Sequence, residues 1–276
     1  MAGMADDNIA SVDYAMLPAF LDGMLDAAED HPGFILVDGN EVTYYVDETR
    51  KAIMDYDHVR YHAERVIAPE HHDAWRTKHQ VGMAIYPDYF YEIDSYAWGH
   101  PPQDHAKWMA HNVNHHLLVT DEFVWFWDEE YNWWPEPGHE RWAKDIPVAV
   151  HDAAKLGRDT FRAGKALGYN MVKPIDSEWE PESAAQWVTE PQATLKISKD
   201  GRVAEVALDP KDDETAHTIR RVVFFVNSAH LGEVSEPPYR IDLPIVDSPK
   251  QTVWARVDTT AQTHLTTNPV TYARTP

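Results

Sequence analysis

Apolar side chains recur at three- and four-residue spacing through Leu17, Phe20, Leu21, Met24, Leu25 and Ala28. That period predicts an amphipathic helix, with Ser11 or Asp13 as its cap and Pro32-Gly33 as its stop. The continuous apolar run Phe34-Ile35-Leu36-Val37 then reads as a strand. Helical spacing returns over residues 47–66 and 69–78. Val81-Gly82-Met83-Ala84-Ile85-Tyr86 is a second buried strand, closed by Pro87-Asp88. A helix over 104–120 leads into a third strand over 123–127, and an amphipathic helix covers 148–167. Strands alternating with helices predict parallel crossovers. Continuous rather than alternating apolar strands predict burial on both faces.

The pattern changes near residue 185. Pro174, Pro181 and Pro191 lie among acids at the join, which reads as a linker. Beyond it come short alternating segments: 193–198, the turn Lys199-Asp200-Gly201, 203–208, 220–226, 239–243, 252–257 and 271–273. Short strands at this spacing predict an antiparallel sandwich. The expected organisation is therefore two domains, 1–185 and 186–276. The first is α/β and holds three convincing strands. A complete (β/α)8 barrel needs eight strands and about 250 residues, so this expectation is of a partial, incomplete TIM-type barrel.

Particular motifs carry family likenesses. Arg221-Val222-Val223-Phe224-Phe225-Val226-Asn227, Leu231-Gly232-Glu233 and Pro237-Pro238-Tyr239-Arg240-Ile241 resemble a bacterial Ig-like module over about 190–276, with Ser228 where that module usually has glycine. Leu17-Pro18-Ala19-Phe20-Leu21-Asp22-Gly23, Val37-Asp38-Gly39-Asn40-Glu41 with Tyr44-Tyr45, and Phe123-Val124-Trp125 through Asn132-Trp133-Trp134 resemble the later part of a (β/α)8-barrel glycoside hydrolase-like protein. The resemblance implies a glycosidase acting on a polysaccharide or oligosaccharide, and Ig-like modules of this kind accompany secreted enzymes. Asn40-Glu41 is similar to the Asn-Glu pair that carries the acid/base in one large barrel clan.

Composition narrows the partners. Forty-six acids against 24 bases give a net charge of −22. Such a chain lacks the clustered cations that nucleic acid or an anionic membrane surface requires, so neither is expected as a partner. There are no cysteines, which excludes disulfides, thiolate metal sites and cysteine nucleophiles. The first ten residues are acidic and polar, without signal-peptide character. No run approaches 18 consecutive apolar residues. Phosphate-loop, dinucleotide and Gly-x-Ser-x-Gly signatures are absent.

Candidate chemistry gathers at strand ends, where α/β enzymes place their reacting groups. The expected catalytic carboxylates are Glu41 as acid/base and Glu129 as nucleophile or base, with Asp38 and Asp88 in reserve, beside Asp128 and Glu130. Asn40, Tyr44, Tyr45, Trp127, Trp133 and Trp134 are expected to bind sugar, with His111 and Asn112 touching it from the preceding helix. Tyr86, Tyr89 and Trp125 supply further aromatic faces. Among the 16 histidines, His111 and His115 stand four apart, but Asn112 rather than a glutamate follows His111, so the zinc-protease pattern fails. No metal and no cofactor are expected. Carbohydrate is the expected partner, and two chains could pair through the open edges of an incomplete barrel to form a homodimer. A non-catalytic carbohydrate-binding or scaffold protein, or a piece of a longer enzyme, is the competing reading. A lyase or a metal-dependent hydrolase using the histidines is the third.

Overall fold

The computed structural model describes residues 16–88, 102–134, 144–172, 186–209, 219–243 and 251–272. Five α-helices precede most of the strands: α1 (Leu17–Glu29), α2 (Thr49–His62), α3 (His72–Lys78), α4 (His105–Val119) and α5 (Val148–Arg162). Helical periodicity placed all five to within a few residues. Ser11 and Asp13 lie outside the described residues, and Met16 precedes α1 without a side-chain cap.

Helix α4 is the axis of the helical layer. Eleven of its residues are buried, polar ones among them. It crosses α5 so closely that a Cβ on Gly157 would stand 2.4 Å from the Ala110 carbonyl oxygen. The Asn114 side-chain amide then donates to the Gly157 carbonyl at 3.1 Å, satisfying a polar group that the crossing buries.

Three apolar runs form a small parallel layer of two two-stranded sheets that meet at Gly82. Its strands are β1 (Leu36–Asp38), β2 (His79–Val81), β3 (Met83–Ile85) and β4 (Val124–Phe126). β1 pairs with β2 and β3 with β4, each over three residues. Gly82 joins β2 to β3 and changes the partner strand: its N–H donates to the Asp38 carbonyl at 2.8 Å, and the next N–H, Met83, donates to Phe123 at 3.0 Å. A Cβ at Gly82 would lie 2.9 Å from the Asp38 oxygen, so the approach requires glycine.

The remaining strands are short pairs or antiparallel sheets. β5 (Tyr131–Asn132) pairs with β6 (Lys144–Asp145), and β7 (Asn170–Val172) with β8 (Gln186–Val188). β9 (Ala193–Ile197), β10 (Val203–Leu208) and β13 (Tyr239–Asp242) form a three-stranded sheet. β12 (Ala229–Val234), β11 (Ile219–Val226), β14 (Gln251–Thr259) and β15 (His264–Thr266) form another in that order, with β16 (Val270–Tyr272) also on β14.

The expected TIM-type barrel is therefore corrected. The fold is mixed α/β, its parallel pairing is confined to two- and three-residue contacts, and most ladders are antiparallel. Strands this short cannot supply the tilt and stagger that closing a barrel demands. Instead the second sheet covers the helices. On one face of it, Val222, Phe224, Val226, Val253, Ala255 and Val257 meet Leu195, Ala204 and Val206 of the three-stranded sheet. On the other, Val223, Phe225 and Trp254 join Ala52 and Tyr56 of α2, Leu118 and Val119 of α4, and Phe161 of α5. No helix among the described residues is long and apolar enough to cross a membrane.

A polar seam runs through this joint. His111, His115 and His116 of α4 are almost fully buried. The His111 and His115 rings stack at 4.0 Å, and His115 Nδ1 contacts the Thr49 hydroxyl. Neither ring nitrogen of His116 has a hydrogen-bond partner, nor does Nε2 of His264 on β15. Burial, reinforced by neighbouring histidines, holds His115 well below its ordinary range. Burial likewise takes His116 to about 3, and burial together with Arg256 takes His264 to about 4. These groups are neutral when folded and bind protons near pH 6.5 when unfolded. Stability is thus fully present above that pH and falls as pH drops toward 4, each histidine contributing up to about 1.4 kcal/mol per pH unit. Urea unfolding between pH 7 and pH 5 should show His116→Phe with a shallower pH slope than the parent, and parallel slopes would refute the assignment. Gly157→Ala should lower stability by about 2 to 3 kcal/mol through overpacking, read from the same denaturation curves; an unchanged midpoint would show that the crossing can relax.

Candidate active site

The carboxyl ends of β3 and β4 lie side by side, because parallel strands bring like ends together, while β1 ends earlier, with Asp38 opposite Val81. Beyond β1 the chain turns at Asn40, which takes a left-handed conformation (φ 50°). Its N–H donates to Asp38 Oδ1 at 2.7 Å, the local bond that lets asparagine hold this geometry. Its side-chain amide reaches Met83 Sδ at 3.8 Å. A 3-10 turn, Glu41–Tyr45, follows. Thr43 pins that turn to β3: its hydroxyl accepts the Ala84 N–H at 2.6 Å and lies 2.8 Å from the Asn40 carbonyl oxygen. Trp125 of β4 donates its indole N–H to the Gly39 carbonyl at 2.8 Å. The Tyr44 ring sits 5.5 Å from Tyr86 and 5.7 Å from Trp125, so three aromatic side chains from three segments floor this edge.

The acids follow from register. Ile85 pairs with Phe126, so extending the two strands places Asp88 near Asp128 and Glu129. Asp88 is only 2% exposed, and its Oδ2 accepts the backbone N–H groups of Glu129 at 2.6 Å and Glu130 at 3.0 Å. The Asp88 carboxylate therefore fixes the turn that carries the other two acids. Tyr86 donates its hydroxyl to Glu129 Oε2 at 3.0 Å. Asp128, at the start of that turn, has both carboxyl oxygens buried and without a hydrogen-bond partner. Burial first, and the nearby Asp88 charge second, push its pKa up to about 8. A carboxyl group in that state is protonated at neutral pH and can donate a proton.

The expected residues divide clearly. Asn40, Tyr44, Asp88 and Glu129 belong to this edge, joined by Asp128 and Tyr86. Trp127, 46% exposed, follows β4 directly at the same end. Asp38 is half-buried and committed to Asn40, with its Oδ2 3.9 Å from His79 Nε2. Glu41 opens the 3-10 turn exposed, making no hydrogen bond or ion pair with any described residue. The Tyr45 side chain and Tyr89 lie outside the described residues.

Trp133 and Trp134 line a different space, a cavity of about 580 Å³ against Phe126 and His151 on which none of the candidate acids opens. Trp133 packs on Phe126 with ring centres 4.6 Å apart, and Trp134 is 78% exposed. His111 and Asn112 are in the core: the His111 ring is 2.6 Å from the Asn170 side chain, and Asn112 donates to the Val46 carbonyl at 2.9 Å. Among the described residues, no group of three or more histidines and acids is arranged to hold a metal. Thr43 and the weight of Asp128 were not evident in sequence. The signal in the sequence was that three apolar runs each end in an aspartate within two residues, Asp38, Asp88 and Asp128.

No family model matches the chain, and no curated protein matches it. Among solved structures it is similar to the spore cortex lytic enzyme SleM of Clostridium perfringens, at 10% identity over 83% of this chain and 77% of that one, with a TM-score of 0.24. Similarity at that level fixes neither fold nor chemistry.

The buried carboxyl makes a stability prediction. Asp128 is raised when folded, so its contribution is fully present below about pH 4 and is lost as pH rises through about 8. Asp128→Asn should leave the melting temperature near that of the parent at pH 5 and raise it by several degrees at pH 9. Equal melting temperatures at pH 9 would mean that the carboxyl is solvated.

Proposed function

We propose that the protein is a hydrolase that cleaves glycosidic bonds with two carboxyl groups, Asp128 as general acid and Glu129 as the second carboxylate. The observation that carries the reading is the protonated Asp128 carboxyl, which precedes Glu129 in the turn after β4 and faces the Asp88 charge at the end of the neighbouring parallel strand β3. Asp128 would give its proton to the departing oxygen. Glu129, oriented by the Tyr86 hydroxyl, would attack the anomeric carbon or take a proton from the attacking water. Asp88 is a positioning residue. Its Oδ2 is taken up by two N–H groups that anchor the turn, and its charge adds to burial in keeping Asp128 protonated.

The aromatic floor favours a sugar over a smaller or more polar substrate. Tyr44 and Trp125, both partly exposed, present flat apolar faces with polar edges beside the acids, backed by the buried Tyr86 ring, and Trp127 stands exposed beyond them. Such surfaces suit the apolar faces of pyranose rings. The resemblance of the strand-end motifs to a glycoside hydrolase-like protein supports the same substrate class. In this reading Glu41, exposed and unpartnered among the described residues, gives up the acid role to Asp128.

Turnover of a panel of 4-nitrophenyl glycosides and polysaccharides tests the assignment. Asp128→Asn and Glu129→Gln should each lower kcat/KM by about a hundredfold or more, while Glu41→Gln stays close to the parent. The parent's kcat/KM should fall as pH rises through about 8, as the acid loses its proton. Undiminished turnover in Asp128→Asn, or loss confined to Glu41→Gln, would overturn these roles.

A further inference from the structure

A second polar centre shares no residue with the acidic edge. A pocket of about 210 Å³ opens where the start of α2 meets the ends of β11, β14 and β15. Four arginines line it, Arg50, Arg220, Arg221 and Arg256, in a chain whose net charge is −22. Adjacent residues of a regular strand point to opposite faces, so Arg220 and Arg221 should not share a pocket. The register of β11 on β14 shifts between Ile219 and Arg221, and this irregularity brings both side chains to the same space.

The arginines are organised rather than merely close. Asp258 accepts Arg256 Nε at 2.6 Å and Nη2 at 3.1 Å, and also Arg221 Nε at 2.8 Å. Arg221 Nη1 continues to Glu233 Oε2 at 2.6 Å. Two carboxylates thus lock two guanidinium groups in place and leave each with further N–H donors. Arg220 makes no ion pair with any described residue. His264 lines the same pocket, and its Nε2 is buried without a hydrogen-bond partner.

Across the lining, four arginines face two acids, Glu48 and Asp258, so the local balance is positive. The neutral state of His264 agrees with that: after burial, Arg256 is the strongest influence holding its pKa down. Donors converge from α2, β11, β14 and β15, which suits an anion with oxygens in several directions better than a planar carboxylate. The volume accommodates such a group with little else, since sites for whole small molecules run from about 300 Å³ upward. We propose that this pocket binds a tetrahedral oxyanion, phosphate or sulfate, free or as the ester group of a larger molecule, with Arg220, Arg221, Arg256 and the His264 ring as its donors.

Isothermal titration of the full chain with sodium phosphate and with sodium sulfate tests this, ionic strength being matched with sodium chloride. Saturable binding of either anion is expected. Arg220→Gln, an exposed site that leaves the core intact, should raise Kd about tenfold, as loss of one charge-assisted bond implies. Arg240→Gln, an exposed arginine on another sheet, should leave Kd unchanged. Bound anion should also move the His264 ring signals in a histidine-resolved NMR spectrum while leaving those of His62 in place. Binding of phosphate alone, weakening as the dianion protonates below pH 7, would support a phosphoryl ligand, and equal binding of sulfate would support the general oxyanion site. Absence of saturable heat with immobile His264 signals would overturn the proposal. So would equal responses to acetate and phosphate, or an unchanged Kd in Arg220→Gln.

Discussion

The β11–β14 ladder is buried on both faces, and that double burial sets the positions of the other elements. Side chains alternate across a strand, so one face delivers Phe224 and Ala255 to the three-stranded sheet while the other delivers Phe225 and Trp254 to the helices. Phe225 and Trp254 stack at 4.3 Å with planes 11° apart, and the Trp254 indole N–H donates to the Asn227 carbonyl at 2.8 Å. Each fully buried side chain of this size is worth about 1.5 to 3 kcal/mol. The sheet therefore acts as a central wall. It presses α2 and α4 against the small parallel sheet, and the ends of that sheet carry the acids. The same helix-facing side of the wall carries Arg221, Arg256 and Asp258 at its end, so this ladder also anchors the arginine-lined pocket.

Within that frame the molecule retains polar groups in costly places. A buried carboxyl without hydrogen bonds loses its charge rather than its burial, and Asp128 does so because Asp88 beside it is held by two backbone N–H groups. The same logic applies to His115 and His116 of α4, where burial, with neighbouring histidines, outweighs the opposing charge of Asp47 beside His116. Strain of this kind concentrates where a protein does chemistry or binds ions.

Much of the local structure was legible in the sequence, because periodicity depends on near neighbours. The five helices, the hairpin at Lys199-Asp200-Gly201 and the strands around Val81 and Val124 sit where the apolar spacing put them. The barrel was not legible as an error, since alternation of strands and helices says nothing about how few residues each ladder pairs. The continuous run Val222-Val223-Phe224-Phe225-Val226 did hold a clue: unbroken apolarity in an antiparallel strand signals two buried faces. His111 and Asn112 looked like polar positions available to substrate, and they are buried by elements joined far along the chain, Asn170 and Val46 among them. At the candidate site, Asp88 and Glu129 could be picked from strand ends. The pairing of Asp88 with Asp128 needed the register of β3 on β4, and contacts with Tyr86 and Asp88, which Glu129 makes and Glu41 does not, separated Glu41 from the rest.

The central claim is that one carboxyl group at the edge of the parallel sheet keeps its proton at neutral pH. Carbon-detected NMR of the side-chain carboxyls in the full chain, followed from pH 4 to pH 10 with Asp128→Asn to identify the resonance, reads that proton directly. A midpoint near 8 for Asp128 is the predicted result. A midpoint near the ordinary aspartate value of about 4 would contradict the account.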